Sequence, residues 1–353
     1  MKSILLLGLS LLFNVAVFGQ VSIGKSKSAL NLYVSSHKNE TFDKLKNLNT
    51  IFIVPNSIND KEDLKATIKE IWTLNSIRFV DEEFVDSDDE GYDPYNNLSD
   101  EYVTPDNMVI RLIDNVYSKT KTGGFMGPGT RTVGAFITFK FKVSIFENIK
   151  QNKKGKLKFD DISIAEIFFT PNIRLRQEIA YSVGGKMKIG SFDKINEKHN
   201  EEAGFYNFDL GYIKNYFQEL NRRLVNSENL KIEDGIEKTD KLGRLSNTTL
   251  IVPEWSLKKY NALAATFGKT RTAQELFMKY GHDYEVVSND DLNAKILNGD
   301  DFYYLMHTQF NQKRIISIIH SVTGEIIYLD EDGGYNIKES DLKKLSKLID
   351  QSS

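Results

Sequence analysis

The chain contains no cysteine. That absence removes disulfides, thiolate metal sites, a cysteine nucleophile and a lipid-modified cysteine behind a leader. Stability must therefore come from packing and hydrogen bonds. The five histidines, His37, His199, His282, His307 and His320, include no HExxH and no other close pair at ligand spacing. Only His307 and His320, in or beside neighbouring predicted strands, are placed to approach each other. G-x-S-x-G is missing as well. The run Gly123-Gly124-Phe125-Met126-Gly127-Pro128-Gly129 lies between two predicted strands and lacks Gly-Lys-Ser/Thr, which disfavours nucleotide binding. An excess of charge of one sign is also absent. The 46 basic and 49 acidic side chains leave a formal charge of -3, so no bulk attraction to nucleic acid or anionic lipid is expected.

One long apolar run is present, Ile4 to Phe18. It follows Lys2 and ends in Val17-Phe18-Gly19, the pattern of a secretory signal peptide over residues 1–19 with a mature chain from Gln20. Asn14 interrupts the run, which is shorter than the roughly 20 residues needed to cross a bilayer. A retained anchor is thus the weaker reading, and the mature chain is expected to have no transmembrane segment. The protein is expected to be exported, either periplasmic or secreted. Export without a single disulfide fits a bacterial envelope better than a eukaryotic secretory pathway, and the wealth of Asn, Lys and Ile agrees. On that reading the Asn39, Asn97 and Asn247 sequons are coincidental.

At 353 residues, 40% hydrophobic and 27% charged, the chain has a globular composition and a length that suggests two domains. A repeat supports the division. Glu40-Thr41-Phe42-Asp43-Lys44-Leu45 followed by Asn49-Thr50-Ile51-Phe52-Ile53-Val54-Pro55 is echoed by Glu237-Lys238-Thr239-Asp240-Lys241-Leu242 followed by Asn247-Thr248-Thr249-Leu250-Ile251-Val252-Pro253. Each copy is a β-branched run stopped by proline, as in a buried strand whose ladder ends where the backbone donor is lost. After the first copy, Asn59 or Asp60 opens a helix bearing Leu64, Ile68, Ile71 and Trp72, and Ile77–Val80 reads as a strand. After the second, Thr272 and Glu275 form a capping box, Gly281 ends the helix, and Tyr284–Val287 is the strand. Ser288 with Asp291 opens a helix ending at Gly299. Phe302–Met306, Arg314–His320 and Glu325–Leu329 then read as strands, and a helix from Ser340 closes the unit. In the first unit Met108–Ile113, Ala135–Phe146 and Ile162–Phe169 correspond, with Asp209 capping the final helix.

The fold class read from this pattern is α/β or α+β, two tandem related β-α-β-(α)-β-β-β-α units. Its boundaries are a signal at 1–19, an N-terminal extension at 20–39, and a first unit with long loop insertions at 40–226. A linker at 227–236 and a smaller second unit at 237–350 complete it. Within the second unit, Phe302-Tyr303-Tyr304-Leu305-Met306 and Val322-Thr323-Gly324-Glu325-Ile326-Ile327 resemble late strands of a periplasmic domain. That domain is found at the N-terminus of the Tol translocation protein and in the curli-secretion assembly factor. The resemblance spans about a hundred residues and implies envelope binding and assembly rather than catalysis.

The acidic loop Asp86-Ser87-Asp88-Asp89-Glu90-Gly91 offers hard oxygen ligands suited to calcium. It matches only the first half of an EF-hand, because Asp93, Pro94 and Asn97 break the second; a solvated loop is the competing reading. Asp330, Asp332 and Gly333 make a shorter acidic turn before the last helix. Lys150, Lys153, Lys154, Lys156 and Lys158 mark a basic hairpin turn that discourages edge pairing. Phe125 and Met126, flanked by glycines, form a candidate apolar tip for a partner. Phe136, Phe139 and Phe141 are read as core, and Trp72 and Trp255 sit on a helix and after a strand-ending proline. Paired acids such as Glu82-Glu83 and Glu201-Glu202 have no distinguishing environment.

No catalytic, cofactor-binding or metal residue is assigned, and no cofactor is implied. The expected function is a non-enzymatic binding or assembly module of a bacterial envelope, its partner an envelope protein or polymer and not a nucleic acid. The alternative is an exported carboxylate-dependent, glycosidase-like hydrolase, for which sequence selects no two carboxylates.

Overall fold

A computed structural model of the chain describes residues 20–26, 34–58, 60–82, 98–124, 127–153, 155, 157–176, 204–231, 235–261, 266–310 and 313–353. The expected leader, the Asp86–Gly91 loop, the Phe125-Met126 tip, His199 and the Glu201-Glu202 pair lie outside the described residues. The fold is α+β, built on two mixed six-stranded sheets.

The first sheet comprises β1 (Val21–Ile23), β2 (Asn49–Val54), β3 (Ile77–Asp81), β4 (Asn107–Gly124), β5 (Gly127–Gln151) and β6 (Leu157–Phe169), in spatial order β3-β2-β4-β5-β6-β1. The second comprises β7 (Ile236–Glu237), β8 (Leu250–Pro253), β9 (Tyr284–Val287), β10 (Tyr303–Phe310), β11 (Lys313–His320) and β12 (Ile326–Gly333), in order β9-β8-β10-β11-β12-β7. The two orders correspond strand for strand. In each sheet the strand before the proline runs parallel to both of its neighbours, β2 between β3 and β4 and β8 between β9 and β10. The remaining pairs are antiparallel. The echoed sequence therefore marks the equivalent strand of two units with one topology.

Short edge strands complete both sheets, and sequence reading did not find them. Val21–Ile23, in the expected N-terminal extension, pairs with Ala165–Ile167, and Ile236–Glu237, in and beside the expected linker, pairs with Tyr328 and Leu329. Three residues or fewer show no usable periodicity. Leu230 also exchanges backbone hydrogen bonds with Ile23, and His37 bonds the carbonyl of Ile164 while its backbone N–H donates to Asn229. Both ends of the first unit are thereby fastened to β6.

Helices α1 (Asn39–Lys46), α2 (Lys61–Ile71) and α3 (Leu210–Val225) belong to the first unit. The second holds α4 (Thr239–Leu242), α5 (Ala273–Phe277), α6 (Asn289–Asn298) and α7 (Glu339–Ser352). Asp60 caps α2 through the Asp63 N–H, Thr272 and Glu275 form the expected reciprocal box, and Ser288 caps α6. Asp209 occupies the cap position of α3 but makes no capping bond; its carboxylate accepts from Asn289 instead.

Equivalent helices α3 and α7 have different surroundings. On α7, Leu342, Leu345 and Ile349 are buried while Lys343, Lys344 and Lys347 face solvent, the ordinary one-sided pattern. On α3, burial runs around the helix and includes Asn215, Glu219, Asn221 and Arg223. Phe217 packs against Phe52 and Phe141 of the first sheet, and Tyr212 against Tyr304 of the second. One apolar cluster therefore runs from the first sheet through α3 into β8, α6 and β10. A second cluster lies on the other face of the second sheet, under α5 and α7. Gly211 permits the α3–α6 approach, because a Cβ there would stand 2.8 Å from the Asn293 side chain and 3.0 Å from its carbonyl.

Candidate functional site

Two places combine position with unusual chemistry. The first is the seam between the units, at the carboxyl ends of β8 and β10, where open α/β sheets commonly take ligands. Proline ends β8, and the following turn Glu254–Leu257 buries Trp255 and Ser256. Tyr206 stacks on one side of the Trp255 ring at 4.8 Å, and His307 of β10 stacks with it at 5.4 Å. His307 is 1% exposed. Burial pushes it down to about 3, with Arg271, Arg314 and Arg176 adding repulsion, so its ring is neutral at ordinary pH. Its Nε2 bonds the Tyr335 carbonyl at 3.0 Å. A carbonyl only accepts, so Nε2 carries the proton and Nδ1 is left a buried acceptor with no partner among the described residues.

Arg176 enters this seam from the first unit, on a helical turn at 173–176 that follows β6. Its Nε donates to the Pro171 carbonyl at 2.9 Å, and its Nη2 donates to Gln309 Oε1 of β10 at 2.7 Å. The guanidinium lies over the Tyr260 ring, 4.4 Å from its centroid, and Tyr260 meets Tyr335 edge-on. Tyr260 is held in turn by Asn336, which accepts from its N–H at 2.6 Å and donates to its carbonyl at 3.0 Å. Among the described residues no carboxylate pairs with Arg176.

The second place is the β4–β5 hairpin. β2 accompanies β4 only through Ile110, and β6 accompanies β5 only as far as Phe139. From Asn115↔Thr138 to Gly124↔Gly127 the two strands continue as a ribbon with no third strand among the described residues. At about 3.3 Å per residue that stretch reaches roughly 30 Å. The sequence places strands at Met108–Ile113 and Ala135–Phe146; pairing extends both well beyond those limits.

Other sequence candidates resolve into structural roles. His307 lies opposite Ile316 and His320 opposite Tyr303, so the two histidines are not brought together. His320 bonds Asp301 and Thr323. Asp332 pairs with Arg314 and Asp330 with Lys344, which makes the acidic turn a set of ion pairs. Lys150 stands opposite Lys158 across the basic hairpin. Phe139 and Phe141 face α3 and the aromatic cluster beneath it. The alternate residues Arg111, Lys140 and Lys142 occupy the other face of the first sheet, where Asp161 meets Arg111 at 3.1 Å and Lys142 at 2.7 Å, and Glu166 meets Lys140 at 2.6 Å. A shallow pocket of about 260 Å³ lies at the amino ends of β2, β3 and β4, lined by Asn49, Thr50, Arg78, Glu101 and Tyr102 among others.

Carboxyls pushed upward are Asp209, to about 6 by burial with help from Asp290, and Asp63, raised by the neighbouring Asp60. They begin different helices and are not a pair. No group of His, Asp and Glu among the described residues is arranged to hold a metal ion. No described helix is long and apolar enough to cross a membrane. Trp255 and His307 were visible in sequence, as a residue after a proline and one of two nearby histidines. Arg176, Tyr206, Tyr260 and Tyr335 carried no local signal. Comparison with family models, curated proteins and solved structures finds no match.

Proposed function

We propose that the protein is an exported bacterial envelope protein that acts by binding or assembly, with the β4–β5 ribbon as its contact element. The ribbon is the observation that carries this reading. Two strands alone are marginal in water, and among the described residues no strand pairs with either edge of this stretch. Its base, in contrast, is part of a six-stranded sheet, so a partner meets an element held on a rigid scaffold. The partner class is an envelope protein or polymer. The leader-like sequence at residues 1–19 and the resemblance of the second unit to periplasmic assembly domains support the compartment.

Replacing the stretch from Val116 to Phe136 by a short turn tests the contact role. The shortened protein is expected to keep its thermal midpoint and to lose the partners that the full chain retains from envelope extracts. Identical capture by both would remove the ribbon from the proposal. Mass spectrometry of the native protein tests export: the expected amino terminus is Gln20, and an intact Met1 in cytoplasmic fractions overturns the compartment.

A further inference from the structure

We propose that the seam between the units is an oxyanion-binding site, in which the Arg176 guanidinium receives a carboxylate or phosphate group against the face of Tyr260. This inference does not depend on the ribbon. Of the five N–H donors of a guanidinium, Arg176 commits two, to Pro171 and Gln309, and a side-chain hydrogen bond also links it to Tyr260. Two remain. The committed pair fixes the plane of the fork, and the Asn336 clamp fixes the Tyr260 platform behind it. A preorganised planar donor loses little freedom on binding, and that geometry matches carboxylate and phosphate oxygens.

Charge points the same way. Three guanidiniums surround His307: Arg176, Arg271 and Arg314. Arg314 is met by Asp341 and Asp332, and Arg271 donates to the carbonyls of Ile337, Ser256 and Leu257. Among the described residues the titratable groups that act most strongly on Arg176 are tyrosines, Tyr260, Tyr335 and Tyr206. Burial pushes Tyr206 and Tyr335 up to about 12, so neither supplies negative charge near neutral pH. A partly buried cation without a counter-charge is costly, and a bound anion removes that cost. Arg176, Gln309, Tyr206, Tyr260 and Tyr335 are half-buried, so the rim is reachable, while Trp255 and His307 form a buried floor. Three tyrosine rings at the rim suit an anion attached to a ring or other apolar body.

The test uses the full chain carrying Trp72→Phe, which leaves Trp255 as the sole indole. Its emission is followed while inorganic phosphate, acetate or benzoate is added at constant ionic strength against chloride. The expected result is a saturable change with phosphate or with a carboxylate, accompanied by a rise in thermal midpoint. Phosphate alone identifies a phosphate group; a carboxylate response stronger for benzoate than acetate identifies a carboxylate on a ring. Arg176→Gln should weaken the response about tenfold, and Tyr260→Leu should weaken it while leaving the Arg176 hydrogen bonds to Pro171 and Gln309 in place. No saturable response into the tens of millimolar in the parent, or a response unchanged in Arg176→Gln, overturns the proposal. Should Arg176→Gln fail to fold, Arg176→Lys retains the charge without the fork, and an undiminished response there is equally fatal.

Discussion

Tyr304 donates its hydroxyl to Oδ1 of Asn215 at 2.9 Å, and both side chains are wholly buried. The amide nitrogen of Asn215 donates to the Ser321 carbonyl at 2.7 Å and to Gln218 at 2.8 Å. One side chain thus ties α3 to β10 and to the turn after β11. Apolar burial is non-directional, whereas this bridge fixes which residue of the helix meets which residue of the sheet.

Asn215→Leu is therefore expected to destabilise the whole chain by about 2 to 4 kcal/mol, since it strands a buried hydroxyl and a buried carbonyl. Urea denaturation measures the loss. Adding Tyr304→Phe should recover part of it, because the orphaned hydroxyl is then gone. If the double variant is simply additive, the two residues are not coupled across the seam.

Two left-handed glycines should respond differently to alanine. At Gly324, with φ +67°, an added Cβ would stand 2.2 Å from the Asn215 carbonyl oxygen, so the turn and α3 must separate. At Gly299, with φ +80°, none of the described residues places an atom within 4 Å. Gly299→Ala is expected to cost about 1 kcal/mol from backbone conformation alone. Gly324→Ala should cost several times more or abolish folding, as thermal midpoints would show.

Asp161 is the shared acceptor for Arg111 and Lys142 on the buried outer face of the first sheet, and its side chain is 4% exposed. Asp161→Ala is expected to cost about 3 to 5 kcal/mol, because two buried cations lose their common counter-charge. Replacing a solvent-facing acid such as Asp43, 71% exposed and paired with Lys46, should change stability by less than about 0.5 kcal/mol. Equal effects would show that the outer face is wet.

Acid titration should show two opposing contributions. Asp209 is raised to about 6 from 3.8, so between those values the folded chain binds more protons than the unfolded one, and stability rises as pH falls through about 6. Asp209→Asn is expected to stabilise the protein at neutral pH by about 2 kcal/mol and to remove that slope. His307 is lowered to about 3 from 6.5, so its contribution is complete above 6.5 and is lost as pH falls below it. Its imidazole resonances should not titrate between pH 5 and 8; a normal midpoint near 6.5 would mean the ring is wet.

The strong sequence signals were local. Thr272 with Glu275, Ser288 with Asp291, and Gly299 all lie where hydrogen bonding and left-handed backbone place a helix end. The apolar runs before Pro55 and Pro253 became the equivalent parallel strands, because a proline cannot extend their ladders. Asp209 shows the limit of that logic. Its cap position was legible, but the partner of its carboxylate is Asn289, far along the chain.

Composition, punctuation and the echoed segment were enough to determine an α and β protein of two related units, since each depends on neighbours within a turn or a strand. Only the tertiary structure decided that α3 is enclosed between two sheets while α7 is a one-sided outer helix, although the two follow equivalent strands. It also decided that Arg176 stands beside Tyr260 and His307. These outcomes depend on which faces meet across the seam. A side chain's sequence neighbours fix the direction in which it points, but the charge and polarity it encounters there come from residues a hundred positions away.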